Sequence, residues 1–314
     1  MREFGINSLN LDLMTKIKYI HCFGTSYTAG GGFEFESVDV ERNIFLKRVY
    51  KSLNEELTQF NFSYPGRLQK LLKNSNTNIV VKNYAKQGYG NSRMFRKLYE
   101  IVNHYNFNQD EHIFLLEFSD FGRKEFWFNE LESFIIFNYA VDWDRGRVKK
   151  SNGCAKSWYY DSEPIKKRLE KLEPYFLDFL DKTFKMDVEL KKFEMENDFF
   201  ISFLDKRNLN YYFTQPPLNT SSHKSILFGD DVYFNKVHGF GYFCVENNFT
   251  ITDETPDSWN DGHNGFIGND LVAKIIFNKL NNEHSLNLEP IFIDWEFYKK
   301  MDRKKYINKN NNLL

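Results

Sequence analysis

The chain has 314 residues, of which 41% are hydrophobic, so it is long enough for one α/β domain with a sizeable core. Its 42 Lys and Arg residues nearly balance 43 Asp and Glu residues, and the resulting net charge of -1 gives no argument for nucleic acid or an anionic membrane as a partner. The three cysteines, Cys22, Cys154 and Cys244, lack the spacing of a disulfide framework or a zinc site and favour reduced thiols in a cytoplasmic protein.

The N-terminal residues carry charges and lack the apolar segment and cleavage site of a secretory signal. The sequence has no stretch that approaches about 18 continuous apolar residues, so we predict no membrane span. We therefore predict an N-terminal extension over residues 1–14, a single domain over 15–285 and a C-terminal tail over 286–314.

Short apolar segments alternate with amphipathic ones along the chain, which predicts a mostly parallel sheet with crossover helices. The predicted strands are residues 16–23, 78–84, 112–118 and 209–214. Helices are predicted over 64–72, 94–102 and 271–280. The expected fold is a three-layer α/β/α sandwich.

An aromatic, charged and irregular stretch of about residues 125–196 interrupts this alternation. Its second part, 164–196, has the pattern of one or two long helices, and residues 197–208 are predicted to form another helix. Because no Pro/Gly/Ser-rich linker sets the stretch apart, we interpret it as an aromatic helical insertion in the domain.

Polar residues follow three of the predicted strands and precede the last predicted helix. Ser26 lies after the first strand, between glycines, where open α/β sheets place their ligands. Near the C-terminus, Asp261 and His263 supply the carboxylate and the imidazole that a serine needs to become a nucleophile. The order of these residues suggests a serine hydrolase, with His238 in a glycine-rich loop as the alternative base.

This succession resembles the SGNH (GDSL-like) hydrolase family, and in particular a divergent, phage-associated branch of it. The resemblance covers residues 17–120 and 255–281 and implies a flavodoxin-like sandwich with Ser26 as the nucleophile. It further implies an oxyanion hole formed by the backbone amides of Ser26 and Gly88.

The chain departs from the family pattern at three positions. Thr25 stands where the family has the aspartate of Gly-Asp-Ser, and Ser119 stands where it has an asparagine, so Asn91 is our candidate for the missing amide donor. Asn91 is equally suited to cap the helix that follows it. The third departure is Asn260, three residues before the histidine.

The family places its catalytic aspartate at the position of Asn260. Asp261 is the nearest carboxylate and our choice for the third member of the triad, with Asp257 in reserve. Arg123 is a candidate for binding substrate, although an ion pair with Glu117 or Asp120 is the more ordinary role for such a residue.

The expected activity is hydrolysis of carboxylic esters, including O-acetyl groups on carbohydrates, through an acyl-serine intermediate. The resemblance implies neither a metal nor an organic cofactor. Two alternatives stay open: transfer of the acyl group to a sugar hydroxyl, and a catalytically silent relative that binds glycans or has a structural role.

Overall fold

Four parallel strands form the central sheet of the protein, seen in a computed structural model. They are β1 (Tyr19–Phe23), β2 (Val80–Asn83), β3 (His112–Glu117) and β8 (Asn210–Gln215). Their order across the sheet is β2-β1-β3-β8, so β1 pairs on one side with β2 and on the other with β3. The prediction of a mostly parallel α/β fold is therefore confirmed.

The structure describes residues 16–31, 33, 35, 40–53, 56–86, 90–104, 106–119, 123–128, 133–138, 140–142, 147–149, 163–215, 244, 247–255 and 261–311. Its helices are α1 (Ser26–Ala29), α2 (Val40–Tyr50), α3 (Gln59–Phe62), α4 (Tyr64–Asn74), α5 (Asn91–Val102), α6 (Glu163–Thr183), α7 (Met186–Lys206), α8 (Ile251–Glu254), α9 (Phe266–His284), α10 (Trp295–Lys300) and α11 (Arg303–Asn311). Short 3₁₀ turns follow α2 and precede β3.

Helices cover both faces of the sheet. Successive side chains of a strand point to opposite faces, and in these strands the side chains on both faces are buried. Ile20 and Cys22 of β1 lie in a buried cluster with the apolar sides of α2, α4 and α9. Phe23, Phe114 and Leu116 lie in a second cluster with those of α5 and α7. The two clusters make the three layers that the sequence predicted.

The segment between β3 and α7 begins with antiparallel strands. Pairing joins β4 (Arg123–Phe128) to β5 (Ser133–Asn138) and β6 (Ala140–Asp142) to β7 (Arg147–Lys149). Within the described residues, the predicted insertion of about 125–196 thus contains β-strands in its first part and helix from α6 onward.

The helix predicted over 197–208 is the second half of α7. The break between α6 and α7 lies at residues 184–185, not at 196–197. Asn197, the first residue of the predicted helix, is instead buried inside the continuous helix, whose Phe200 and Leu204 pack on the sheet. Tertiary packing therefore overrides the local preference of asparagine for helix ends.

Residues 286–311 fold back onto the domain. They contain α10 and α11, whose Tyr298 and Ile307 are buried in the same cluster as α9. The guanidinium of Arg303 lies 4.3 Å from the centre of the Phe249 ring. The segment that was predicted as a tail thus contributes to the core. None of the described helices is both long enough and apolar enough to cross a membrane.

Two stacked histidines lie on the α5 side of the sheet. His21 Nε2 of β1 and His112 Nδ1 of β3 are 2.7 Å apart, with ring planes 11° from parallel, and a cavity of about 450 Å³ opens beside them. Burial, with a smaller contribution from His112, lowers the pKa of His21 to about 3, and burial also lowers the pKa of His112. Both imidazoles are therefore neutral near pH 7.

This pair makes stability depend on pH. The unfolded chain binds a proton at His21 near pH 6.5, whereas the folded chain does so only near pH 3. The contribution of the neutral His21 to stability is therefore complete above pH 6.5 and is lost as the pH falls from 6.5 towards 3. We expect the free energy of unfolding, measured in urea at pH 7, 6 and 5, to fall by up to about 1.4 kcal/mol per pH unit for this one proton.

In His21→Phe the free energy of unfolding should depend less steeply on pH, by the amount that corresponds to about one bound proton. Tyr19→Phe is the matched control, because it keeps the ring that stacks on His112 at 5.1 Å and leaves both imidazoles in place. An unchanged slope in His21→Phe would show that His21 is protonated equally in the folded and unfolded chains.

Candidate active site

Ser26 is the first residue of α1, the short helix that begins where β1 ends. Thr25 precedes the helix, and Gly30 ends it with a φ of 79°, a conformation that glycine adopts at no steric cost. The Ser26 carbonyl accepts a hydrogen bond of 2.5 Å from the Gly31 amide, which closes the turn. The Ser26 side chain is mostly buried at the carboxyl edge of the sheet.

His263 and Asp261 lie just before α9 and contact each other directly. His263 Nδ1 is 2.6 Å from Asp261 Oδ1, and the His263 amide donates to the same oxygen at 2.9 Å. Since a carboxylate only accepts, Nδ1 carries the hydrogen and Nε2 is left as the basic nitrogen. A spacing of two residues allows both contacts, because the Asp261 side chain accepts from the backbone two residues further on in an Asx-turn.

Asp261 is fixed from its other side by the hydroxyl of Thr252. This hydroxyl accepts from the Asp261 amide at 2.7 Å and donates to the Asp261 carbonyl at 3.0 Å. Asp261 is therefore the carboxylate that the structure places against His263. Asp257, Asn260 and the alternative base His238 lie outside the described residues.

Gly31 brings the serine and the histidine together. A Cβ on Gly31 would lie 2.9 Å from Ser26 Cβ and 2.9 Å from His263 Nε2. Ser26 Cβ and His263 Nε2 are therefore separated by no more than the sum of these two distances, and Ser26 Oγ is bonded directly to that Cβ. No hydrogen bond joins them among the described residues, and such bonds often form only when substrate is present.

The segment that follows β2 borders the turn that carries Ser26. Asn83 Nδ2 donates to the Thr28 carbonyl at 3.0 Å, and the Lys86 amide donates to the Gly24 carbonyl at 3.3 Å. Gly88, the predicted oxyanion-hole glycine, lies outside the described residues.

Asn91 is tied to the end of β3. Its Oδ1 accepts from the Ser119 amide at 2.8 Å and its Nδ2 donates to the Ser119 carbonyl at 3.3 Å. The helix cap is Gly90, so Asn91 is the first residue of α5 and not its N-cap. Its role as an oxyanion donor stays a prediction; one hydrogen of the amide is already directed at Ser119.

Arg123 begins β4, with its backbone against Gly90. Glu117, one of the two carboxylates considered as its ion-pair partner, instead accepts hydrogen bonds from Thr25 and Thr28. Asp120, the other, lies outside the described residues. A substrate-binding role for Arg123 stays a prediction.

Two buried glutamates at this edge were not identified from the sequence. Glu117 contacts the turn that holds Ser26, and Glu254 contacts the start of α9, directly after His263. The hydrogen-bond partners of Glu117 lie 89–92 residues away in the chain, so no local spacing could reveal its role. The available signal was a glutamate at the end of an otherwise apolar strand.

Glu254 accepts hydrogen bonds from two donors at the start of α9 and from one donor in α2. Its oxygens accept from the Phe266 and Ile267 amides, both at 2.7 Å, and from the Tyr50 hydroxyl at 3.0 Å. Complete burial raises the pKa of Glu254 to about 8, although these hydrogen bonds oppose the shift. Gly265 has no room for a side chain because Glu254 occupies that space.

Cys22 is the other nucleophilic side chain close to Ser26 in sequence. It is completely buried in the cluster on the α4 side of the sheet, and burial raises the pKa of its thiol. It is therefore a core residue. Among the described residues, no three His, Cys, Asp or Glu side chains are grouped as metal ligands.

Comparisons of this chain with known protein families, with curated proteins and with solved structures find no match.

The geometry around Gly31 generates a prediction about stability. In Gly31→Ala the new methyl group would overlap His263 and Ser26, so we expect the free energy of unfolding to fall by about 1–3 kcal/mol. Gly262→Ala is the matched control, because a Cβ there meets no atom within 4 Å. Urea unfolding measures both. Equal stability of the two variants would contradict the contact between Gly31 and His263.

Proposed function

We propose that the protein is a serine esterase that hydrolyses carboxylic esters through an acyl-serine intermediate. One arrangement supports this proposal above all others. Asp261 hydrogen-bonds His263 Nδ1, while His263 Nε2 and the Ser26 side chain meet at Gly31, at the carboxyl edge of a parallel sheet. A base, its orienting carboxylate and a hydroxyl on the far side of one glycine are the parts from which a nucleophilic triad is assembled.

The first half of the proposed reaction acylates the serine. Ser26 Oγ attacks the ester carbonyl carbon while its proton passes to His263 Nε2. Asp261 stabilises the imidazolium that forms and keeps the ring in the required tautomer. When the tetrahedral intermediate collapses, the imidazolium gives its proton to the departing alcohol, and the acyl group stays on Ser26.

The second half repeats these steps with water. His263 takes a proton from the water as the oxygen attacks the acyl-serine carbonyl, and returns it to Ser26 Oγ when the acid leaves. His263 therefore needs access to solvent, whereas Asp261 does not. The exposed fractions of the two side chains, 27% and 8%, fit these roles.

The negative oxygen of the tetrahedral intermediate needs hydrogen-bond donors. We assign this role to the backbone amides of Ser26 and Gly88 and to the Asn91 side chain. Loss of one donor in such a site costs about 2.7–4 kcal/mol of activation free energy.

The same residues support a proposed relationship to SGNH hydrolases. From that relationship we propose small-molecule or glycan esters, including O-acetyl groups on carbohydrates, as the substrate class, and Arg123 as a substrate contact. We also propose a reducing, cytoplasmic setting, which the free, buried thiols of Cys22 and Cys244 support.

Hydrolysis of p-nitrophenyl acetate tests the triad. We expect Ser26→Ala and His263→Ala to lower kcat at least about a hundredfold, because each removes a group that forms or breaks a bond or moves a proton. Asp261→Asn should lower kcat as well, since an asparagine cannot stabilise the imidazolium.

The matched controls are Ser75→Ala, at the end of α4, and His104→Ala, at an exposed position after α5. Both should retain the wild-type rate. Equal turnover in all five variants would overturn the assignment of the nucleophile. Turnover that rises with an added sugar, with acylated sugar as the product, would replace hydrolysis by acyl transfer.

A further inference from the structure

The carboxylate of Glu117 joins the end of β3 to the turn that carries Ser26. Its Oε1 accepts a hydrogen bond from the Thr25 hydroxyl. Its Oε2 accepts from the Thr28 amide at 2.9 Å and from the Thr28 hydroxyl. The two threonines stand on either side of Ser26 in the chain, so this one side chain holds both ends of the segment that contains the serine.

The contact is buried and has neutral partners. Glu117 is 4% exposed, Thr25 5% and Thr28 0%. Within the described residues, no lysine, arginine or histidine forms an ion pair with Glu117. Because the Thr28 hydroxyl gives its hydrogen to Glu117, it accepts from the Tyr64 hydroxyl, 3.2 Å away.

The turn is also built around this side chain. A Cβ on Gly24 would lie 2.5 Å from Glu117 Oε2 and 2.6 Å from Glu117 Cβ, so the backbone of Gly24 passes directly over the glutamate. Thr25 stands where a Gly-Asp-Ser sequence would place a carboxylate within the turn. In this chain the carboxylate comes from the neighbouring strand.

We propose that Glu117 is a positioning residue for Ser26. By holding Thr25 and Thr28, it fixes the first turn of α1 in the orientation that directs the Ser26 side chain towards His263 Nε2. Glu117 itself does not touch the reacting atoms. The inference rests on the proposed function for its effect on catalysis, but its effect on the turn can be measured without any activity.

Glu117→Gln is the test variant. Three donors converge on the two oxygens of Glu117, and an amide can offer only one oxygen to them, because its other end carries hydrogens. We expect kcat for p-nitrophenyl acetate to fall about a hundredfold with KM within about twofold of the wild type, since the hydroxyl is misplaced while the binding surface is kept.

Hydrogen–deuterium exchange gives the second measurement. We expect the backbone amides of residues 24–31 to exchange about tenfold faster in Glu117→Gln, because the Thr28 amide loses its acceptor. Thr25→Val, which removes one hydrogen bond and keeps the glutamate, should change kcat and exchange in the same direction and by less. It also serves if Glu117→Gln fails to fold.

Asp205→Asn is the matched control, because it removes another carboxylate that accepts from a hydroxyl, that of Tyr211, at 2.7 Å. This contact lies at the opposite edge of the sheet, at the start of β8. The control should change neither kcat nor exchange in residues 24–31.

The outcomes separate this inference from the proposed function. If turnover depends on Ser26 and Glu117→Gln keeps the wild-type kcat, the positioning role is overturned and the esterase stands. If the wild type shows no turnover that depends on Ser26, the proposed esterase activity is overturned, and hydrogen–deuterium exchange alone tests the role of Glu117. Faster exchange of residues 24–31 then supports Glu117 as the residue that holds the turn, and unchanged exchange overturns it.

Discussion

Parallel pairing of β1 with both of its neighbours is the constraint on which the rest of the structure depends. Because all four strands run in the same direction, their carboxyl ends meet at one edge, and the turns that follow β1, β2 and β3 come together there. The chain leaves β1 towards α4 on one face and leaves β2 towards α5 on the other. Ser26 therefore lies at the point where the direction of winding changes.

Two buried carboxylates hold the two halves of the candidate site. Glu117 fixes the turn of Ser26 from β3, and Glu254 fixes the start of α9 behind His263. Buried carboxylates are costly unless their oxygens accept hydrogen bonds, and in both cases backbone amides and hydroxyls supply them. Packing alone would not define these turns so narrowly, because a hydrogen bond has a direction and an apolar contact does not.

The sequence was sufficient to predict the four strands of the parallel sheet and the contact of Asp261 with His263, since each follows from local pattern or close spacing. It placed a helix start at Asn197 wrongly, because packing on the sheet keeps this buried residue inside the continuous helix α7. It also could not identify Glu117, whose partners are distant in the chain. The insertion after β3 was interpreted as an aromatic helical one, with helices expected from residue 164 and an irregular first part. Strands β4 and β5 lie in that first part, because short apolar runs suit either state.

The central claim is that Ser26 is a nucleophile activated by His263, and covalent labelling tests it most directly. The full chain is treated with a fluorophosphonate, digested and analysed by tandem mass spectrometry. We predict a single phosphonylated residue, Ser26, with labelling at least about a hundredfold slower in His263→Ala. A label on another residue, or none on the wild-type protein, would contradict the account.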